Sequence, residues 1–246
     1  MAGSFRYRIE QRDIDASQRV RLCAMGDMVL QAAGDDADIL GFGVSDLNAG
    51  NASWVLSRMA IEMRRLPQRH EEIDIYTLVS DYGRLFTTRN MTVSDGKSVE
   101  IGAAVTQWAM IDLATRRPLD LSALSNKGTS LVDREPPVER PRKVGALAEC
   151  SSERPYEVVY SDIDFNGHVN SMKYLEWMVD SLPTGVAARL GSFRLDINYI
   201  HEARLGDRLT ICSAGFGSGD GKEGWRFEIR AADSTPICRA EITIAP

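Results

Sequence analysis

The sequence predicts an α+β protein made of two similar halves, each a long helix followed by antiparallel strands. Three observations lead there. Twice along the chain, apolar residues at three- to four-residue spacing give way to runs that alternate with period two. Asp13-Ile14-Asp15 returns as Asp162-Ile163-Asp164, an offset of 149 residues (164 − 15) that also superposes Val20 on Val169. Between the two patterns, from Arg116 to Tyr156, the text becomes rich in proline and charge and reads as a linker. The division this implies is a first half over 1–117, a linker over 118–155 and a second half over 156–246.

Each element has its own signal. Val20, Ala24, Met28 and Leu30 to Ala33 form the first helical stripe, which Gly34-Asp35-Asp36 is expected to end. Val55, Ser57, Met59, Ile61 and Met63 then alternate with polar or small neighbours as a half-buried strand does. Further strands are expected at Ile73 to Ser80, Leu85 to Ser94 and Glu100 to Asp112, with a turn at Ser94-Asp95-Gly96. In the second half Val169, Met172, Leu175, Met178, Val179 and Leu182 give a stronger stripe, stopped by Pro183. Asn170 would cap that helix, or Asn166 if it starts earlier. Phe193, Leu195, Ile197 and Tyr199 alternate next, followed by strands at Arg208 to Phe216, Gly224 to Ala231 and Pro236 to Ala245, with a hairpin turn from Gly217 to Gly224. Two such halves are expected to share one continuous sheet.

A net charge of −6 over 246 residues argues against general nucleic-acid binding, which needs a basic face to displace counterions from phosphates. The four cysteines lie far apart without metal-ligand spacing, so neither a zinc site nor a disulfide scaffold is expected, and a reducing, cytoplasmic compartment fits. No run approaches the length of a membrane-spanning helix, and the first residues show no apolar core behind a basic start.

The stretch YSDIDFNGHVNSMKYLEW, from Tyr160, concentrates aspartate, asparagine and one of only three histidines ahead of the second helix. Asp162, Asp164 and Asn166 alone suit a turn and a helix cap; the histidine sets the run apart. Extended to YSDIDFNGHVNSMKYLEWMVDSLP, it resembles the motif of the acyl-acyl carrier protein thioesterases of the plant fatty-acid type. GFGVSDLNAGNASWVLSRMAIEMRRLPQRHEEIDIYTLVSDYGR resembles the first half of that family, and FRLDINYIHEARLGDRL its second. The resemblance implies a tandem hot-dog fold. It implies hydrolysis of a fatty acyl thioester to free fatty acid, acyl carrier protein as partner, and no metal or organic cofactor; a homodimer is within its range.

Asp164, Asn166 and His168 fall on the family's Asp, Asn and His, and Glu202 on its Glu. Ala203 stands where the family has cysteine, so a cysteine nucleophile cannot act at that position. Thioester hydrolysis needs an activated water, a site for negative charge on the carbonyl oxygen and a proton for the leaving thiolate. Glu202 is the candidate base. Asn166 would position the water or the acyl carbonyl, Asp164 would orient partners or share the base role, and His168 would bond the carbonyl or relay a proton. Backbone N–H groups near Gly167 to Val169 are expected to form the oxyanion hole.

At the same offset Asn166 faces Ser17, Gly167 faces Gln18 and His168 faces Arg19; in the strands, where Ile197 superposes on Ile61, Glu202 faces Leu66. The chemistry is therefore expected once per chain, in the second half, with the first half walling an acyl tunnel. Met25, Met28, Met59, Ile61 and Met63 are candidates for that wall, although ordinary core is the simpler reading. Arg58, Arg64, Arg65 and Arg69, or Arg116 and Arg117, are candidates for docking an acidic carrier protein, against the simpler reading as solvated surface. His70 and His201 read as structural. Two other functions fit less of the pattern: a hot-dog thioesterase of acyl- or aroyl-coenzyme A, and a non-catalytic acyl-thioester-binding regulator.

Overall fold

The computed structural model describes residues 2–122, 135–217 and 223–244. In chain order its elements are β1 (Gly3–Arg8), α1 (Leu22–Ile39), α2 (Val44–Ala49), β2 (Ala52–Met63), β3 (Glu72–Tyr82), β4 (Thr87–Asp95) and β5 (Glu100–Asp112). These are followed by β6 (Ser152–Glu157), α3 (Ser171–Val179), α4 (Thr184–Ala187), β7 (Phe193–Tyr199), β8 (Arg208–Gly217), β9 (Glu223–Ala231) and β10 (Pro236–Ile244). All ten strands lie in one sheet, ordered β1-β3-β4-β5-β2-β7-β10-β9-β8-β6, with every neighbouring pair antiparallel. The halves meet where β2 pairs with β7, Met59 opposite Ile197 and Ile61 opposite Leu195, so the sheet is continuous.

The sheet buries one face under the helices. Phe193, Leu195 and Ile197 of β7 and Phe227 and Ile229 of β9 join Met25, Val29, Met172, Leu175 and Met178 in a single apolar core. The two long helices approach each other at Gly26, where even a methyl group would fall 2.4 Å from Met172 Sδ. A side chain there would require Met172 to move.

The opposite face of the second half is covered by chain. Residues 135–150, within the segment read as linker, are strapped across it. Arg142 N donates to Asp196 Oδ1 (2.9 Å), Val144 N to Asn198 Oδ1 (2.8 Å) and Leu147 N to Glu228 Oε2 (2.9 Å). Asp196, Asn198 and Glu228 point away from the helices along their strands, yet they are 3%, 6% and 4% exposed because the strap seals them. Burial opposes the Glu228 charge, but the Leu147 N–H, Arg230 and Arg239 outweigh it and hold the carboxyl below its usual range.

Several boundaries differ from expectation. α1 runs through Gly34-Asp35-Asp36 to Ile39, because Ala33, Asp36 and Ala37 continue its buried face and Asp36 pairs with Arg89 of β4 inside the protein. The stop is Gly41, at φ +75°: Gly41 N donates to Asp38 O and Phe42 N to Ala37 O, closing the last turn in a Schellman arrangement. β2 carries a bulge between Leu56 and Arg58, so Leu56 is buried while Val55 is not, and strict alternation fails there. β4 starts at Thr87 rather than Leu85, since Leu85 and Phe86 sit exposed in the preceding turn. The edge strands β1 and β6 were not anticipated, being six residues each with few apolar positions. Ala245 and most of the expected turn from Gly217 to Gly224 lie outside the described residues.

Candidate active site

The motif is a tight loop ahead of α3. Asp164 N donates to His168 O (2.8 Å), Gly167 N to Asp164 O (3.1 Å), and the Asp164 carboxylate accepts from the N–H groups of Asn166 (2.8 Å) and His168 (3.2 Å). Gly167 adopts φ +78°, the left-handed conformation that glycine enters without cost, and this reverses the chain between Asn166 and His168. Ile163 and Val169 bridge the base of the loop. Asn170 is the helix cap, its Oδ1 accepting from Met172 N at 2.8 Å. Asn166 is thus released from capping.

Glu202 reaches this loop from the segment after β7. Val169 N donates to Ala203 O (2.9 Å) and Ala203 N to the Tyr174 hydroxyl (3.1 Å), which pins the residue beside Glu202 against α3. Burial pushes the Tyr174 and Tyr199 hydroxyls above their ordinary pKa, so both stay protonated; Tyr199 donates to Ser171 O (3.3 Å). Held this way, Glu202 Oε2 lies 3.1 Å from His168 Nε2. Its other oxygen accepts from the Arg116 guanidinium, and Arg204 Nη2 stands 3.4 Å from His168 Nε2. The carboxylate is the closer partner of the ring.

Asp164, Asn166, His168 and Glu202 all line one cavity of about 690 Å³. It runs away from them into the first half, between α1 (Leu30, Ala33, Gly34, Ala37) and strands β2, β5, β4 and β3 (Leu56, Ile111, Arg89, Val79). From Tyr199 on β7 to Val79 on β3 the lining crosses four strand-to-strand steps, a reach of ~19 Å at about 4.8 Å each. The slot is mostly apolar.

The geometry bears on three sets of sequence expectations. Met25, Met28, Met59, Ile61 and Met63 do not line the cavity but belong to the apolar core or pack against it, as the simpler reading had it, and the wall is built from the C-terminal part of α1. The N–H groups of Gly167, His168 and Val169 are spent on Asp164 O, Asp164 Oδ1 and Ala203 O, so they are not an oxyanion hole. Among the described residues the Ser171 N–H, at the first turn of α3 and on the cavity wall, has no hydrogen-bond partner. Arg64 and Arg65 are tied to Glu100 and to Glu71 and Asp95, at the end of β2 roughly 30 Å from the Glu202 end. Arg116, a docking candidate in the sequence, stands inside the site. None of the four cysteines lines the cavity, and Ala203 is fully buried.

Known proteins share this fold. The model of the acyl-ACP thioesterase N-terminal domain matches residues 4–123, and that of the C-terminal domain matches residues 145–245. The chain belongs to the acyl-ACP thioesterase family. An acyl-ACP thioesterase from Bacteroides thetaiotaomicron superposes with a TM-score of 0.85 at 31% identity, over 98% of this chain and 96% of that one. A 12:0-ACP thioesterase from Umbellularia californica gives a TM-score of 0.87 at 16% identity, over 98% and 93%, which speaks to the shared fold. A chloroplastic acyl-acyl carrier protein hydrolase of Cuphea viscosissima is 31% identical over 65% of this chain and 40% of its own length. A chloroplastic oleoyl-acyl carrier protein thioesterase of Arabidopsis thaliana is 25% identical over 68% and 50%. The chain thus matches half or less of the length of these two curated relatives. The tandem hot-dog architecture is the family's.

Proposed function

We propose that this chain hydrolyses fatty acyl-acyl carrier protein to free fatty acid and holo-carrier, by acid–base catalysis. The observation that carries the proposal is the carboxylate–imidazole–amide cluster of Glu202, His168 and Asn166 on the wall of a largely apolar cavity long enough for an alkyl chain. The acyl chain enters the first half, which leaves the thioester carbonyl beside Asn166 and Glu202. Each Glu202 oxygen has a second lone pair, so the carboxylate can take a proton from water while it still holds His168 and Arg116. The water oxygen bonds to the carbonyl carbon, and the negative charge moves to the carbonyl oxygen. The Asn166 amide and the free Ser171 N–H, at the positive end of α3, are the donors offered to it. When the C–S bond breaks, the proton passes from Glu202, directly or through His168, to the sulfur.

Asp164 is assigned a shaping role. Its carboxylate holds the loop that aims Asn166 and His168. The names of the related thioesterases support a carrier protein as the acyl donor. Free thiols at all four cysteines suit the reducing, cytoplasmic setting we propose.

Thiol release from matched acyl-ACP and acyl-coenzyme A substrates of several chain lengths tests the proposal, with Asn166→Ala and Glu202→Ala alongside. The carrier-protein esters should turn over faster, and both variants should be impaired. Equal or faster turnover of coenzyme A esters would reassign the substrate, and no turnover of either would make the chain a binding module.

A further inference from the structure

We propose that Arg116 is a positioning residue of this site: from the first half, it holds the Glu202 carboxylate so that the other oxygen faces His168. The inference rests on the thioesterase reading above. It starts from a division of labour within one carboxylate, where Oε1 accepts from Arg116 and Oε2 lies 3.1 Å from His168 Nε2. A carboxylate at the end of a three-torsion side chain, 36% exposed, is not fixed by one imidazole contact. A guanidinium on the opposite side removes the remaining rotation.

The backbone under Arg116 is built to present it. Arg116 sits at φ +59°, a left-handed conformation that a side-chain-bearing residue enters only at a cost. The turn that enforces it is organised by Asp112 at the end of β5. Arg116 N donates to Asp112 O (2.8 Å), and Asp112 N donates to Arg117 O (2.9 Å). The Asp112 carboxylate accepts from Thr115 N (2.7 Å), Thr115 Oγ1 (2.9 Å) and Asn51 Nδ2 (2.8 Å). Those bonds, the Thr115 N–H first among them, keep the Asp112 carboxyl below its usual range. Five hydrogen bonds thus maintain a strained turn whose exposed tip delivers one cation to the base of the other half.

A role in docking the carrier fits this position poorly. The phosphate of a pantetheine arm lies a whole extended arm from the thioester, whereas Arg116 touches the residue next to the reacting carbon. The pair is also too exposed to be a stability device, with side chains 43% and 36% accessible.

A double-mutant cycle decides it, with kcat and KM measured for wild type, Arg116→Gln, Glu202→Gln and the double variant, and Arg116→Lys as the conservative rescue. Acyl-ACP and an acyl-N-acetylcysteamine thioester, which lacks the phosphate, are both used as substrates. Arg116→Gln should lower kcat about 10- to 100-fold on both, the size expected for a hydrogen bond to a charged group, with KM within a few-fold. Arg116→Lys should recover part of that loss, and the double variant should be no slower than Glu202→Gln, because Arg116 acts through Glu202. Additive losses would overturn the proposal, as would a KM increase confined to acyl-ACP, which would make Arg116 a docking residue. An active wild type with Arg116→Gln unchanged would overturn this inference alone, and a wild type silent on every thioester would overturn the functional reading with it.

Discussion

The loop before α1 and the loop before α3 have the same backbone and different chemistry. Ile14 bridges Val20 as Ile163 bridges Val169, Asp15 N bonds Arg19 O as Asp164 N bonds His168 O, and Ser17 N reaches Asp15 Oδ1 as Asn166 N reaches Asp164 Oδ1. Gln18 even adopts φ +62° where Gly167 has +78°. The strand partner repeats too: Val20 N donates to Pro67 O and Val169 N to Ala203 O. What differs is the side chains. Arg19 turns to Ala188 O, a contact between halves, and to Ser17 Oγ, and Leu66 is buried where Glu202 faces the cavity. The comparison separates scaffold from chemistry within one molecule: aspartate in this loop is needed to fold it, and asparagine, histidine and the distant glutamate are not.

The helices show the reverse bias. α1 has 18 residues and α3 nine, and the extra turns of α1 roof the cavity. In the proposed mechanism one half therefore carries the reacting groups, and the other carries the space for the chain.

The largest effect should come from the chemical side of this contrast. Glu202→Ala should lower kcat by about 10² to 10⁴ with the thermal midpoint little changed, measured by thiol release and by melting. Next, Asp36→Ala should cost about 3–5 kcal/mol in denaturant unfolding, because it leaves Arg89 buried without its partner under the last turns of α1. Ala37→Phe, on the roof of the cavity, should shift the preferred substrate toward shorter acyl chains, and an unchanged chain-length profile would take that wall out of the binding path. Asn170→Ala should cost about 1 kcal/mol, the usual value of a helix cap. Smallest of all, Ser17→Ala should leave kcat unchanged, although Ser17 occupies the position equivalent to Asn166.

Much of this was legible in the sequence, for identifiable reasons. The repeat, the order of helix and strands and the Asn170 cap are local patterns, and Asp164, Asn166, His168 and Glu202 carried a resemblance that their convergence on one cavity now gives a shape. Long-range bonds were not legible. Asp196, Asn198 and Glu228 look like the outward polar residues of half-exposed strands, and only the strap's N–H groups, 54 and 81 positions distant, make them interior. Gly34 resembled a helix stop because its missing side chain serves the cavity, while the true stop, Gly41, lay seven residues on. Arg116 lies in a short turn after β5 with nothing local to connect it to Glu202, 86 positions away.

The most direct test transplants the first loop onto the second, with Phe165→Ala, Asn166→Ser, Gly167→Gln and His168→Arg made together. The account predicts a protein that folds with a melting temperature close to wild type and turns over acyl-ACP at background rate, because the loop's hydrogen bonds are those the first half already makes. A folded graft that kept turnover within a few-fold of wild type would contradict the assignment of the chemistry to Asn166 and His168.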